Sequence, residues 1–341
     1  MKELLTVLLP VYNGEDYIEE AILSILNQTF EHFKLLIIND GSTDNTTNII
    51  SKYKNRDSRI QVVERQNKGL IYSLNEGLSL STTDLVARMD ADDISFPLRL
   101  EKQFNFMSQH PEISVCGTAI QIYETGINEF LPKHTDELLA LSLFSVPVFH
   151  PTVMMRRQDV LSVGGYSPEA LCAEDYDLWE RMLYKGFRFS NIEEVLLKYR
   201  SHPNKKREAY HAQMHDTAMQ ICIHQLQRLH LDVNKRNLFL HRICWDPQKE
   251  PTVIVNNAVK WLSKIEHNNK IYKYINEHAL ANELEKRKSS FKTINFLKEP
   301  TIWMTRIIRH IAYSLLFAAG KNSFRYEARL KKIWHHFRSN K

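Results

Sequence analysis

Four apolar runs, spaced by segments of helical period, constrain this chain more than any other feature. The runs are Leu4 to Leu9, Lys34 to Ile38, Ile60 to Val63 and Leu85 to Met89. A nearly unbroken apolar run reads as a strand buried on both faces, as in parallel sheets. Between the first two runs, Tyr17, Ile18, Ala21, Ile22, Ile25 and Leu26 recur at helical spacing. A second helix follows Asn39-Asp40-Gly41-Ser42-Thr43-Asp44, with Ser42 or Thr43 expected as its N-cap. A third carries Leu70, Leu74 and Leu78. The order β-α-β-α-β-α-β predicts a doubly wound α/β sheet. Such sheets bind ligands beyond the carboxyl ends of their strands. The polar clusters Pro10 to Asn13, Asp40, Asn67 to Gly69 and Asp90 to Asp93 all fall at those ends. Clusters placed by chance would scatter over both ends, so the coincidence points to a nucleotide site.

The fourth run empties into Asp90-Ala91-Asp92-Asp93. Bare carboxylates about 5 Å apart repel by roughly 3 kcal/mol per pair at an effective dielectric near 20. A divalent cation with oxygen ligands would neutralise them and could carry a pyrophosphate. Taken alone, Asp-x-Asp-Asp is equally an acidic surface loop, and its place at the strand ends decides between the two. The chain has neither G-x-G-x-x-G after its first strand nor G-x-x-x-x-G-K-[ST] anywhere. A dinucleotide fold and a P-loop are therefore disfavoured, and phosphate binding falls to the metal.

Further on, Glu101 to Gln109 predicts a helix, Ile113 to Gly117 a strand, Leu138 to Phe144 a helix, and Val153-Met154-Met155 a short strand. Gly164-Gly165-Tyr166 is a turn, either a simple loop or a close backbone approach. In the stretch Ala173 to Met182, Leu178, Met182 and Leu183 form an apolar helical stripe, and Trp179 reads as core. Glu174 and Asp175 open that helix, where the macrodipole favours acids. That placement alone makes them either structural or catalytic.

A length of 341 residues implies roughly two domains, expected here as 1–202 and 203–341. Charge divides at the same place. Up to His202 there are 19 Lys and Arg against 29 Asp and Glu, and beyond it 26 against 11. An acidic front suits a metal-dependent site, and a basic back suits an anionic partner. Cys116, Cys172, Cys222 and Cys244 form no C-x-x-C pair, which fits a reducing compartment and excludes a cysteine zinc site. The N-terminal apolar run is too short for a signal peptide, so a cytoplasmic protein is expected. The back half reads as mostly helical. Residues Ile302 to Phe317 place Met304, Ile307, Ile308, Ile311 and Leu315 on one face. This run is too short and too charged to span a bilayer. It suits either a helix in an anionic membrane interface, aided by Lys331, Lys332 and Arg338, or a helix packed on the domain or on a dimer partner. No nucleic-acid-binding module is recognisable.

Three motifs in this order, Leu8-Leu9-Pro10-Val11-Tyr12-Asn13, Ile38-Asn39-Asp40-Gly41-Ser42-Thr43-Asp44 and Asp90-Ala91-Asp92-Asp93, resemble the signature of family 2 glycosyltransferases of GT-A fold. The resemblance covers about residues 4 to 202. It implies a Rossmann-like, doubly wound mixed sheet and a nucleotide-sugar donor, most often a UDP-sugar. Matched residue by residue, Pro10, Tyr12, Asn13 and Asp40 would frame the base and Asn67 would lie near the nucleoside. Asp90 and Ala91 would meet ribose or donor sugar, and Asp92 would ligate Mn2+ or Mg2+. Glu174-Asp175 before a Leu-Trp helix matches the family's catalytic motif, with Asp175 as base and Glu174 beside the donor. His202 falls where a histidine completes the metal shell or contacts phosphate, and Arg200 is a weaker candidate for that contact. Many members carry Ala-Arg-Asn where this chain has Ser73-Leu74-Asn75, so a basic phosphate contact is missing, and Arg88 or Lys68 are the substitutes at hand. One base and no second nucleophile imply a single displacement with inversion. The acceptor expected is a glycan or lipid-linked hydroxyl in surface-polysaccharide or lipopolysaccharide assembly, met at the inner face of the membrane. The competing readings are a nucleotidyltransferase, which normally has a basic glycine-rich loop absent here, and a non-catalytic nucleotide-sugar-binding scaffold.

Overall fold

The computed structural model describes residues 3–201, 207–245 and 249–294. The chain divides into two compact units, residues 1–142 with 146–218, and residues 143–145 with 219–341. In the first unit the chain runs β1 (Leu5–Val11), α1 (Ile18–Leu26), β2 (Phe33–Asn39), α2 (Thr46–Lys54), β3 (Ile60–Glu64), α3 (Leu70–Leu80) and β4 (Leu85–Arg88). It continues through β5 (Ile94–Ser95), α4 (Arg99–Gln109), β6 (Ile113–Ile122), β7 (Asn128–Glu129) and α5 (Thr135–Leu141). After a 3-10 turn (His150–Thr152) come β8 (Met154–Arg156), α6 (Arg157–Ser162), α7 (Glu174–Tyr184), β9 (Arg188–Tyr199) and α8 (Arg207–Arg228).

These strands form one mixed sheet of order β3-β2-β1-β4-β8-β6-β9-β5, with β7 on β6. β3, β2, β1 and β4 are mutually parallel, as the apolar runs predict. β8 enters antiparallel between β4 and β6, and β9 then runs parallel to β6. Alternate residues of β1 enter opposite cores, as the pleat requires. Leu5, Val7 and Leu9 pack with Ile18, Ile22 and Ile25 of α1, whereas Leu8 packs with Leu74 and Leu78 of α3. On that second face α3 lies so close to β1 that a Cβ on Gly77 would stand 2.2 Å from Leu8 Cδ1. Gly77→Ala therefore overpacks the interface, and we expect it to lower the unfolding free energy by about 1–3 kcal/mol, read from a urea titration.

Several boundaries differ from expectation, three of them for reasons the contacts show. β6 extends to Ile122 rather than stopping at Gly117, because β9 pairs with it along its length. α5 begins at Thr135, three residues early, since His134 and Glu137 make a capping box, and it ends at Leu141. The helix α2 starts at Thr46, with Asn45 rather than Ser42 or Thr43 at its N-cap position. Ser42 and Thr43 are drawn instead to the β1 loop, where Ser42 Oγ accepts from Asn13 N–H at 3.0 Å and Thr43 N–H donates to Asn13 Oδ1 at 2.8 Å.

The second unit is helical, as expected, through the end of α8, α9 (Lys235–Trp245), α10 (Thr252–Tyr272) and α11 (Glu277–Ser290). A two-stranded parallel pair, β10 (Lys249–Pro251) and β11 (Lys292–Ile294), was not legible in the sequence. Its core holds a polar link. Trp261 Nε1–H donates to His241 Nδ1 at 3.3 Å, and His241 Nε2 meets the Leu143 carbonyl at 2.8 Å. Burial lowers the His241 pKa to about 4, so the ring is neutral, with its proton on Nε2. The expected amphipathic run Ile302 to Phe317 lies outside the described residues. Among the described residues no helix is long and apolar enough to cross a membrane.

Candidate active site

The parallel half of the sheet delivers four loops to one end. Pro10 is buried in β1, while Tyr12 just beyond it is half exposed. Asn13 turns with φ 51° and laces this loop to residues 42–43. Asp40 follows β2 and is almost fully buried. The loop after β3 closes around it. Asp40 Oδ1 accepts from Lys68 N–H and Oδ2 from Gly69 N–H, each at 2.8 Å, and the Arg65 guanidinium pairs with Oδ1. Gly41, at φ 76°, permits this closure, because a Cβ there would stand 2.6 Å from the Asn67 nitrogen.

Arg65 was not legible as a site residue. Its guanidinium also binds Glu76 Oε2 at 2.7 Å and Ser73 Oγ at 2.8 Å, and it lies over the Tyr72 ring. A basic group thus reaches Ser73, beside the place where Ala-Arg-Asn is lacking. Leu74 at the arginine position is wholly buried in the core. Asn75 clamps the glycine turn, its Nδ2–H donating to the Tyr166 carbonyl at 2.8 Å and its Oδ1 accepting from Tyr166 N–H at 2.9 Å. Of the two proposed basic substitutes, Lys68 Nζ sits on Tyr72, and Arg88 is buried on Asp90.

The loop after β4 gathers Asp90, Asp92 and Asp93, whose nearest carboxylate oxygens all lie within 4.8 Å of one another. Arg88, only 2% exposed, donates NH1 to Asp90 Oδ2 at 2.7 Å and NH2 to Oδ1. Asp93 is buried, accepts the Arg200 N–H on Oδ1 at 2.8 Å, and leaves Oδ2 without a partner. Burial and the neighbouring Asp90 and Asp92 push its carboxyl up to about 8. A buried acid so perturbed, with an orphaned oxygen, is a cluster short of positive charge. Its all-oxygen donors fit a hard divalent cation.

Arg200 does not point a free guanidinium at a phosphate. Nε–H donates to the Asp92 carbonyl at 2.9 Å, NH2 binds Glu20 at 2.8 Å, and the group stacks on Tyr123 and Tyr17. It ties the acidic loop to the end of β9. Partners at this remove typically set metal affinity within 10- to 100-fold. Arg200→Ala should accordingly weaken Mn2+ binding by about tenfold or more, measured by calorimetry. An unchanged Mn2+ isotherm would remove that role. His202 lies outside the described residues.

Glu174 and Asp175 open α7, where Asp175 Oδ1 accepts from Tyr176 N–H at 2.8 Å. Burial raises both carboxyls, and repulsion from Asp175 helps push Glu174 to about 7. Asp175 in turn raises Asp90, so the α7 acids and the β4 acids share one site. Arg88 is the buried cation among them, lowering Asp175, Glu174 and Asp93 alike. Beneath them His150 Nε2 and the Tyr166 hydroxyl form a 2.9 Å hydrogen bond. Burial and Arg88 lower His150, so it is neutral. Trp179 is wholly buried, edge-on to Phe189 and His150, as its reading as core predicts.

A mixed sheet whose parallel half ends in an Asp-x-Asp loop, with a second acid pair on a helix opposite, defines a GT-A nucleotide-sugar transferase class. The glycosyl transferase family 2 pattern matches residues 6–165. The O-antigen biosynthesis glycosyltransferase WbnJ of Escherichia coli is 34% identical over 206 residues, covering 59% of this chain and 80% of that one. Two solved structures share the fold. TarS 1-349 of S. aureus, in complex with UDP, superposes with TM-score 0.53 at 17% identity, covering 85% of this chain and 90% of its own. The mannosyltransferase PcManGT of Pyrobaculum calidifontis, in complex with GDP-Man and Mn2+, gives 0.54 at 16% identity, covering 94% and 88%. This chain belongs to glycosyltransferase family 2.

Proposed function

We propose that the protein is a metal-dependent, inverting transferase that moves a sugar from a UDP-sugar to a hydroxyl of a surface-polysaccharide precursor. The observation that carries the reading is the Asp90-Asp92-Asp93 cluster after β4, whose carboxylates lie within 4.8 Å of one another, with Asp175 of α7 near enough for its charge to raise Asp90. UDP in the TarS complex supports the donor nucleotide, and the O-antigen assignment of WbnJ supports the polysaccharide setting.

In this reading Pro10, Tyr12, Asn13, Asp40 and Asn67 hold the nucleoside, and Asp90, Ala91 and Glu174 face the sugar. Asp92 holds Mn2+ or Mg2+, with His202 as a further ligand. When bound, the ion stabilises negative charge on the departing diphosphate. Asp175 takes the acceptor hydroxyl proton as that oxygen bonds to the anomeric carbon. The bond from this carbon to the diphosphate breaks, and the electron pair leaves with the nucleoside diphosphate. Bond formation on the face opposite the leaving group inverts the centre. Arg88 holds Asp90 in place and keeps Asp175 ionisable within a buried site.

The test is calorimetric titration of UDP, GDP and ADP with and without Mn2+. UDP binding that requires the metal supports the donor assignment. GDP preferred over UDP would replace the nucleotide. Binding of no nucleoside diphosphate would remove the transferase reading, and nucleotide binding without sugar transfer would bring the nucleotide-sugar-binding scaffold forward.

A further inference from the structure

The Asp40 carboxylate, its side chain only 5% exposed, is nearly used up before any ligand arrives. An ionised carboxylate only accepts, and it offers two lone-pair directions on each oxygen. Oδ1 accepts from the Lys68 N–H and from the Arg65 guanidinium, and Oδ2 accepts from the Gly69 N–H. One acceptor direction remains, on Oδ2. Two of the three donors are backbone groups and come with the loop after β3. The third belongs to a side chain, and another residue at that position would withdraw it.

Arg65 is held where it stands. Nε–H donates to Glu76 Oε2 at 2.7 Å, NH1 also reaches the Gln66 carbonyl at 3.0 Å, and NH2 donates to Ser73 Oγ at 2.8 Å. The guanidinium carbon lies 4.7 Å from the centre of the Tyr72 ring. Drawing Arg65 off Asp40 would disturb all of these contacts together, and each broken bond that leaves a buried group unpaired carries its own cost.

Bases differ in how many N–H groups they turn toward a carboxylate. Uracil presents one, N3–H, between two carbonyls. Guanine presents two side by side, N1–H and a hydrogen of the N2 amino group, which suit the two oxygens of one carboxylate. A carboxylate with a single free direction satisfies uracil and leaves one guanine N–H unpaired, which is costly away from water.

We infer that Arg65 determines the donor nucleotide: by occupying Asp40 Oδ1 beside the Lys68 N–H, it reduces Asp40 to a single acceptor and selects uracil over guanine. The inference rests on the transferase reading above, in which Asp40 faces the base, and it names the residue that sets the choice of nucleotide. Arg65 acts through Asp40 and is a positioning residue.

The experiment is calorimetric titration of UDP, GDP and IDP, with Mn2+ present, into wild type, Arg65→Met and Arg65→Lys. IDP differs from GDP only in lacking the N2 amino group, so the pair isolates the second N–H. Wild type should bind UDP best and GDP no better than IDP. Arg65→Met frees the second direction on Oδ1 and should bind GDP about tenfold or more tighter than IDP, with the preference for UDP narrowed to match. Arg65→Lys returns an N–H donor to Asp40 and should restore the wild-type ratios. A purely structural role would weaken all three nucleotides together in Arg65→Met, and unchanged ratios there would overturn the inference. Wild-type protein that binds GDP about tenfold or more tighter than IDP would overturn it without any variant. In both of those outcomes nucleotide binding survives and only this inference fails, whereas binding of none of the three removes the transferase reading with it.

Discussion

Asp175→Asn should reduce sugar transfer by about 10²- to 10⁴-fold, the usual contribution of a positioned general base, while UDP affinity stays at the wild-type value. The amide keeps the shape and the acceptor for the Tyr176 N–H but cannot take a proton. Initial rates with radiolabelled UDP-sugar, beside a UDP isotherm, separate the two effects. Loss of UDP binding instead would move Asp175 to the donor side. The same residue sets a pH limb. Burial holds the Asp175 carboxyl above the ordinary range, and only the ionised form serves as base, so transfer falls as pH drops through that raised value. The ionised Asp175 in turn helps push Glu174 up to about 7.

Asp92→Ala should abolish metal-dependent UDP binding. The Asp90 oxygens are held by Arg88, and Asp93 is buried with its carboxyl raised to about 8. Neither neighbour replaces a lost ligand well. Wild-type protein should bind UDP with Mn2+ and lose most of that affinity in EDTA, and the variant should bind equally weakly in both. UDP binding by the wild type that ignores EDTA would show that the acid cluster holds no catalytic ion.

The parallel half of the sheet was legible because a strand buried on both faces must be written as an apolar run, and β1, β2 and β4 are. The acids were legible because three carboxylates in four residues have few structural uses. The arginines were not. Arg65, Arg88 and Arg200 get their roles from what the sheet brings across to them, and nothing within a few residues of Arg200 announces a bond to Asp92 108 positions away. The antiparallel insertion of β8 was equally hidden, since three residues, Met154–Arg156, carry too little pattern to give direction. Asn75 matches the last position of a family motif that otherwise departs at Ser73 and Leu74, and nothing in the sequence shows that its amide fixes a turn 91 residues distant.

The strand order has a consequence for how such chains diversify. Every residue proposed to hold the nucleoside lies in one continuous stretch before Asp93, and the α7 acids come after it. The stretch before β5 is thus a cassette that can be inherited whole while the later portion is exchanged for another acceptor. Several bonds cross the joint, and those of two arginines hold the acidic loop. Arg99 NH2 donates to the Arg88 carbonyl at 2.6 Å, and Arg200 Nε donates to the Asp92 carbonyl. A recombinant keeping both arginines retains the acidic loop's shape, and one that loses either inherits a cassette with an unanchored rim.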